Sequence, residues 1–247
     1  MDKRKFIIAL RIILGVATIA ALIRQFGSMG GEVVNFFSYF THLTNIILVF
    51  VYLSGAWTLL QNRKPTVKQE MLRGGSVVFI LVVGLVYEAL LRRSLGSALT
   101  WNNLVVHYIN PVMALLDWLI YPPQQKLPKN VWAYWLIFPL GYLLYSLVRG
   151  ALVNWYPYSF FDPARQGGYG GVALYSVGIT VLFLLFSALV LKLTRTPAAA
   201  PVAATAAPKA PAKAKSKAPA KKKAAKKATK KVAKKAVKKA AKQKSRR

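Results

Sequence analysis

Three kinds of residue are scarce or missing in this chain of 247 amino acids. There is no cysteine, which excludes disulfides, thiol nucleophiles and Cys-ligated metals. Two histidines, His42 and His107, are too few for a His-based metal centre, so neither a metal nor a cofactor is expected. Only six Asp and Glu face 36 Lys and Arg, a formal net charge of +30. What fills the chain instead is apolar. Hydrophobic side chains make up 55% of it and the mean hydropathy is positive, a mixture foreign to ordinary soluble domains of this size.

A membrane-spanning body cannot hold such charge within the bilayer, and the charge is segregated. From Pro197 onward there are 17 Lys, 2 Arg and no acid, which leaves the body a net +11. Residues 1–196 are therefore read as a transmembrane domain and 197–247 as a tail. The tail opens with an Ala/Pro-rich stretch and becomes near-repeats such as AAKKATKKVAKKAVKKAAK, a composition that buries no core and predicts disorder. In composition it resembles the tails of linker histones and bacterial histone-like proteins. Lys221, Lys222, Lys223, Lys226, Lys227, Lys230, Lys231, Lys234, Lys235, Lys238 and Lys239 form its densest run. Nucleic acid, through counterion release, and anionic lipid are the partners that suit it.

About twenty consecutive apolar residues cross a bilayer as a helix, and six stretches qualify: Phe6–Ile23, Phe36–Leu60, Ser76–Leu91, Asn103–Tyr121, Val131–Leu152 and Gly171–Leu193. The fold expected is an all-α integral membrane protein with about six spans, in contact with membrane lipids. The first run lacks a small-residue cleavage site and reads as a retained anchor. Positive loops stay inside. Lys3, Arg4, Lys5, Arg63, Lys64, Lys68, Arg73, Lys126, Lys129, Lys192 and Arg195 would share one side with the tail, against Arg24, Arg92, Arg93, Arg149 and Arg165 on the other. Both termini are accordingly predicted cytoplasmic. Arg11 falls inside the first span, where its stem would let the charge snorkel to the interface. Asp117, toward the cytoplasmic end of the fourth span, is expected to cap or pair there.

Polar residues inside spans are functional candidates by default. The second and fourth spans both start from the outer face, which brings Thr41, His42, Thr44 and Asn45 to a depth similar to that of His107 and Asn110, with Glu88 near the outer end of the third span. Thr41, Thr44 and Asn45 share a helical face, whereas His42 points about 100° away from Thr41. His107 and Asn110 also share a face, and Pro111 frees nearby carbonyls. A histidine beside a hydroxyl is the minimum set for nucleophilic catalysis. The competing reading of a span threonine is a packing residue bonded to its own backbone.

SYFTHLTNIILVF in the second span, VYEALL in the third, NLVVHYINPVMALLDWLIYP in the fourth and NWYPYSFFDP before the sixth resemble the androgen-induced-protein family of membrane hydrolases, in particular its bacterial relatives. The resemblance covers about Asn35 to Leu193. It implies hydrolysis of lipid esters, fatty acid esters of hydroxy fatty acids in the animal members, by a threonine and a histidine. The histidine falls on His107. The threonine falls on Thr41, which keeps the Tyr-x-Thr spacing from Tyr39, with Thr44 as the alternative. The implied mechanism has His107 deprotonate Thr41, with Asn45, Asn110 or Tyr108 donating to the oxyanion. Glu88 and His42 would line the substrate site, and the aromatic loop carrying Trp155 and Tyr156 would cover it. A bacterial inner membrane is the location this implies. A small-molecule binder or transporter using the same polar cluster, and a tether acting through the tail, are the rival functions.

Overall fold

The computed structural model describes residues 2–92 and 99–194, all helix and connection with no strand among them. Six helices are long and apolar enough to cross a membrane, and the chain is a multi-pass membrane protein. They are α1 (Lys3–Ser28), α3 (Phe40–Leu60), α4 (Val67–Val86) with its π-helical extension Tyr87–Leu91, α5 (Trp101–Leu104) running through a π turn Val105–Ile109 into α6 (Asn110–Ile120), α7 (Val131–Val153) and α8 (Tyr169–Leu193). A short α2 (Val33–Phe37) precedes α3. Arg93, Arg195 and the tail with its lysine run lie outside the described residues.

Two spans begin elsewhere than hydropathy alone suggests. The second starts at Phe40 rather than Phe36, because Ser38 closes α2 and Tyr39 is extended (φ −87°, ψ 125°). Thr41 and His42 therefore sit in the first turn of α3. The third starts at Val67 rather than Ser76, set by a capping box. The Gln69 backbone N–H donates to Thr66 Oγ1 (3.3 Å), and the Thr66 N–H donates to Gln69 Oε1 (2.8 Å). Glu70 and Arg73 consequently lie within the span, and Arg73 is not a loop residue.

α1 packs along α3 with seven-residue periodicity. Ile7, Arg11, Leu14, Thr18 and Ala21 are buried, the spacing of a left-handed helix pair. Four polar side chains of α1 repeat at the same interval. Arg4 donates to the Leu59 carbonyl, Arg11 to Asp117, Thr18 to Asn110, and Gln25 accepts from Asn102. α4 is the central element and packs on α3, α6 and α8. Its Gly74 and Gly75 admit the indole of Trp135, whose Nε1–H donates to the Met71 carbonyl (2.8 Å). A methyl on Gly74 would sit 2.6 Å from that ring. α7 and α8 bury the smallest share of their surface and present mostly apolar side chains outward, as a lipid-facing wall does.

Candidate functional site

A partly open apolar cavity lies between α3, α4, α7 and α8, with about 660 Å³ of empty space when the open solvent at its mouth is counted. Thr41 puts one of its few polar groups on the wall. The Thr41 backbone N–H, unpaired within the first turn of α3, donates to the Tyr158 hydroxyl (3.1 Å), and Thr41 Oγ1 lies 3.2 Å from the same oxygen. Burial pushes the Tyr158 phenol up to about 12, so it is a neutral donor at physiological pH. Tyr142 and Tyr158 line the same space, and the Tyr142 hydroxyl donates to the Ser38 carbonyl (2.8 Å), fixing the approach to α3.

Asn154, in the left-handed conformation (φ 51°), ends α7 and turns the chain back over it. Tyr156 then lies so close to Gly150 that a methyl there would overlap its ring. The cavity is covered by residues slightly further on, Tyr158, Phe160 and Phe161, while Trp155 and Tyr156 stand outside its lining. Trp155 instead takes the Arg149 guanidinium over its ring at 4.5 Å and meets Tyr39 edge to face. Rings of the NWYPYSFF segment do line the cavity, and which of them turn inward depends on the turn at Asn154.

His107 sits in the π turn of the fourth span. Pro111 has no N–H to give the His107 carbonyl four residues back, and that oxygen lies against Gly84, where a methyl would sit 2.9 Å away. The imidazole stacks on Tyr87 (3.8 Å, 15°), the first residue of the other π turn. Nδ1 of His107, near the Asn103 carbonyl, makes no hydrogen bond of acceptable geometry. Thr41 and His107 are joined through Asn45, whose Nδ2 donates to the Thr41 carbonyl (2.8 Å) and, at a longer 3.5 Å, to the Val106 carbonyl. No hydrogen bond joins their side chains among the described residues, and His107 is not in the cavity wall.

Asn45 and Asn110 form the buried centre of this region. Asn110 Nδ2 donates to Asn45 Oδ1 (2.7 Å) and to Thr18 Oγ1 (3.0 Å), so both amides are committed to holding α1, α3 and the fourth span together. They are placed as scaffold, and neither amide is free to donate to an oxyanion. Tyr108 is also engaged, donating to Glu88, which pairs with Arg92 at 2.8 Å on an exposed edge. Glu88 thus belongs with Tyr108 and Arg92 rather than with Thr41. Thr44 is fully buried, its hydroxyl has no partner, and it does not line the cavity. His42 turns away from Thr41, as helical phase requires, and its Nδ1 lies 2.7 Å from the Phe36 carbonyl with the rings stacked.

A second polar cluster is buried toward the end of the bundle that carries the N-terminus. Arg11 Nε and Nη2 donate to the two oxygens of Asp117 (2.7 and 2.9 Å), Arg73 Nη1 donates to Asp117 Oδ2 (3.1 Å), and Arg73 Nε donates to Glu70 (2.9 Å). The Gln124 N–H donates to the remaining Glu70 oxygen (2.8 Å). Arg11 is 2% exposed, so it does not snorkel to the interface. A short path to a carboxylate on a neighbouring helix outweighs a long path to water. Two guanidiniums and two carboxylates balance, and Asp117 is a partner of both arginines rather than a cap. The signal in the sequence was the seven-residue polar stripe of α1 together with the early start of α4.

Comparison with protein-family models, with curated proteins and with solved structures finds no match to the chain.

Proposed function

We propose that the chain is a lipid ester hydrolase of the androgen-induced-protein type, with Thr41 as nucleophile and His107 as general base. The observation that carries this reading is Thr41 on the wall of a cavity otherwise lined mostly by apolar side chains, a lining that suits an acyl chain, at the N-terminus of a 21-residue helix whose dipole favours negative charge there. Of the two threonines, Thr41 is taken as the nucleophile because it lines this cavity and Thr44 does not.

In the reaction Thr41 Oγ1 bonds to the ester carbonyl carbon as its proton passes to His107. The bond to the alcohol oxygen then breaks, and that oxygen takes the proton. Water, deprotonated by His107, cleaves the acyl-threonine to the free acid and restores the hydroxyl. In the resting chain no hydrogen bond joins the Thr41 and His107 side chains among the described residues, so transfer to His107 runs through a water or through closure on substrate. With both termini cytoplasmic, Thr41 lies in the outer leaflet of an inner membrane, and substrate arrives sideways past the sparsely buried α7 and α8.

The test is acyl-ester hydrolysis and fluorophosphonate labelling of protein purified in detergent. Labelling should survive Thr44→Ala and vanish in Thr41→Ala and His107→Ala. Folded wild type that neither labels nor turns over would leave the cavity as a lipid-binding site. The tail supports a separate activity on its 17 Lys and 2 Arg, the holding of a polyanion at the inner surface. Deleting 197–247 should abolish salt-sensitive DNA or anionic-vesicle binding and leave hydrolysis intact.

A further inference from the structure

Tyr158 lies in the connection between α7 and α8, stacked on Phe160 (5.0 Å, 11°) and edge to face with Tyr39 (5.6 Å, 82°). The direction of one of its two hydrogen bonds follows from what each atom can do. A backbone N–H only donates, so the Tyr158 oxygen accepts from Thr41 N. Between the two hydroxyls either oxygen can donate in the resting chain, but once Thr41 gives up its proton Oγ1 can only accept, and the phenolic hydrogen is then the donor. Asn45, Asn110 and Tyr108 have their hydrogens committed elsewhere, which leaves Tyr158 as the donor facing Thr41.

We infer that Tyr158 is the positioning residue of the nucleophile: by donating to Thr41 Oγ1 it holds the hydroxyl at the cavity wall and stabilises the alkoxide that forms as the Thr41 proton leaves. The inference rests on the hydrolase reading. Tyr158 keeps its proton throughout, and no co-reactant is needed. The bond shortens as charge develops on Oγ1, because hydrogen bonds to an anionic oxygen are shorter and roughly twice as strong as neutral ones.

The experiment measures phosphonylation of Thr41 in the full chain, separating probe affinity from the maximal rate of modification. Tyr158→Phe keeps the ring and its stacking and removes the hydroxyl, which is both the donor to Oγ1 and the acceptor of the Thr41 N–H. Its maximal rate should fall on the order of 100-fold with probe affinity unchanged. Fluorotyrosines of graded acidity at position 158 preserve the packing, and the rate should follow phenol acidity. A rate within twofold of wild type in Tyr158→Phe, or insensitivity to phenol acidity, overturns the inference and leaves the hydrolase standing. Parallel loss of affinity, rate and thermal stability would make Tyr158 a packing residue and also overturns it. Wild type that is not labelled at all removes the hydrolase reading and the inference with it.

Discussion

The bundle buries polar side chains in two places and treats them differently. Toward the N-terminal end of α1, Arg11, Glu70, Arg73 and Asp117 form a charge-balanced quartet in which all four carboxylate oxygens have partners. Further along, Thr18, Asn45 and Asn110 form a neutral network, and around it the hydroxyl of Thr44 and Nδ1 of His107 have no partner. Charge in a low-dielectric interior tolerates no loose end, because an unpaired ion there costs several kcal/mol. Neutral groups can be left open at smaller cost. The charged quartet is closed on itself, and the loose ends in both regions are neutral groups, Tyr52 and Trp118 beside the quartet and Thr44 and His107 beside the amides.

The sharpest way to break this contrast is Asp117→Asn, which leaves Arg11 without a carboxylate and Arg73 with Glu70 alone. It should destabilise the chain by roughly 3–5 kcal/mol in detergent unfolding. The pair Arg11→Met with Asp117→Leu leaves Glu70 and Arg73 balanced and should recover most of that loss. A single variant as stable as wild type would refute a structural role for the quartet.

Next in size is Gly84→Val. Its side chain meets the His107 carbonyl and Pro111 within about 3 Å, and the overpacking should cost about 1–3 kcal/mol. Hydrolysis should fall further than stability, since the displaced segment carries His107. Equal losses in both would show that the π turn only packs.

Asn110→Leu removes the donor to Asn45 and Thr18 and should cost roughly 1–2 kcal/mol, the scale of buried hydrogen bonds between membrane helices. A larger loss, comparable with that of Asp117→Asn, would erase the distinction between the two regions. Smallest of all is Glu88→Gln. Its pair with Arg92 is about half exposed on each side, and no shift in unfolding midpoint should be measurable.

Much of the architecture was readable in the chain. Six apolar runs name six spans because a bilayer admits only helices whose own backbone bonds are closed. The burial of Arg11 was not readable, since snorkelling and pairing are both open to an arginine eleven residues into a chain. A carboxylate 106 positions away decides between them. The start of α4 lay in the Thr66–Gln69 capping box, hidden from hydropathy by Glu70 and Arg73.

At the candidate site, helical phase foretold that His42 would turn away from Thr41, and the residue order placed His107 and Asn110 on one face. It did not foretell Tyr158. That residue stands 117 positions from Thr41 in a connection, where no periodicity operates. Its direction is set by the αL turn at Asn154 and by rings stacking beside it.

Composition and periodicity by themselves determined that this protein is a membrane-embedded helical bundle with a basic tail, because solvation of the backbone and of charge depends on residue type along the chain. Which polar groups neutralise each other, and which hydroxyl borders the cavity, only the tertiary structure decided. Those outcomes depend on distances of 2.7 to 3.2 Å between residues remote in sequence, set by how six helices pack rather than by any one of them.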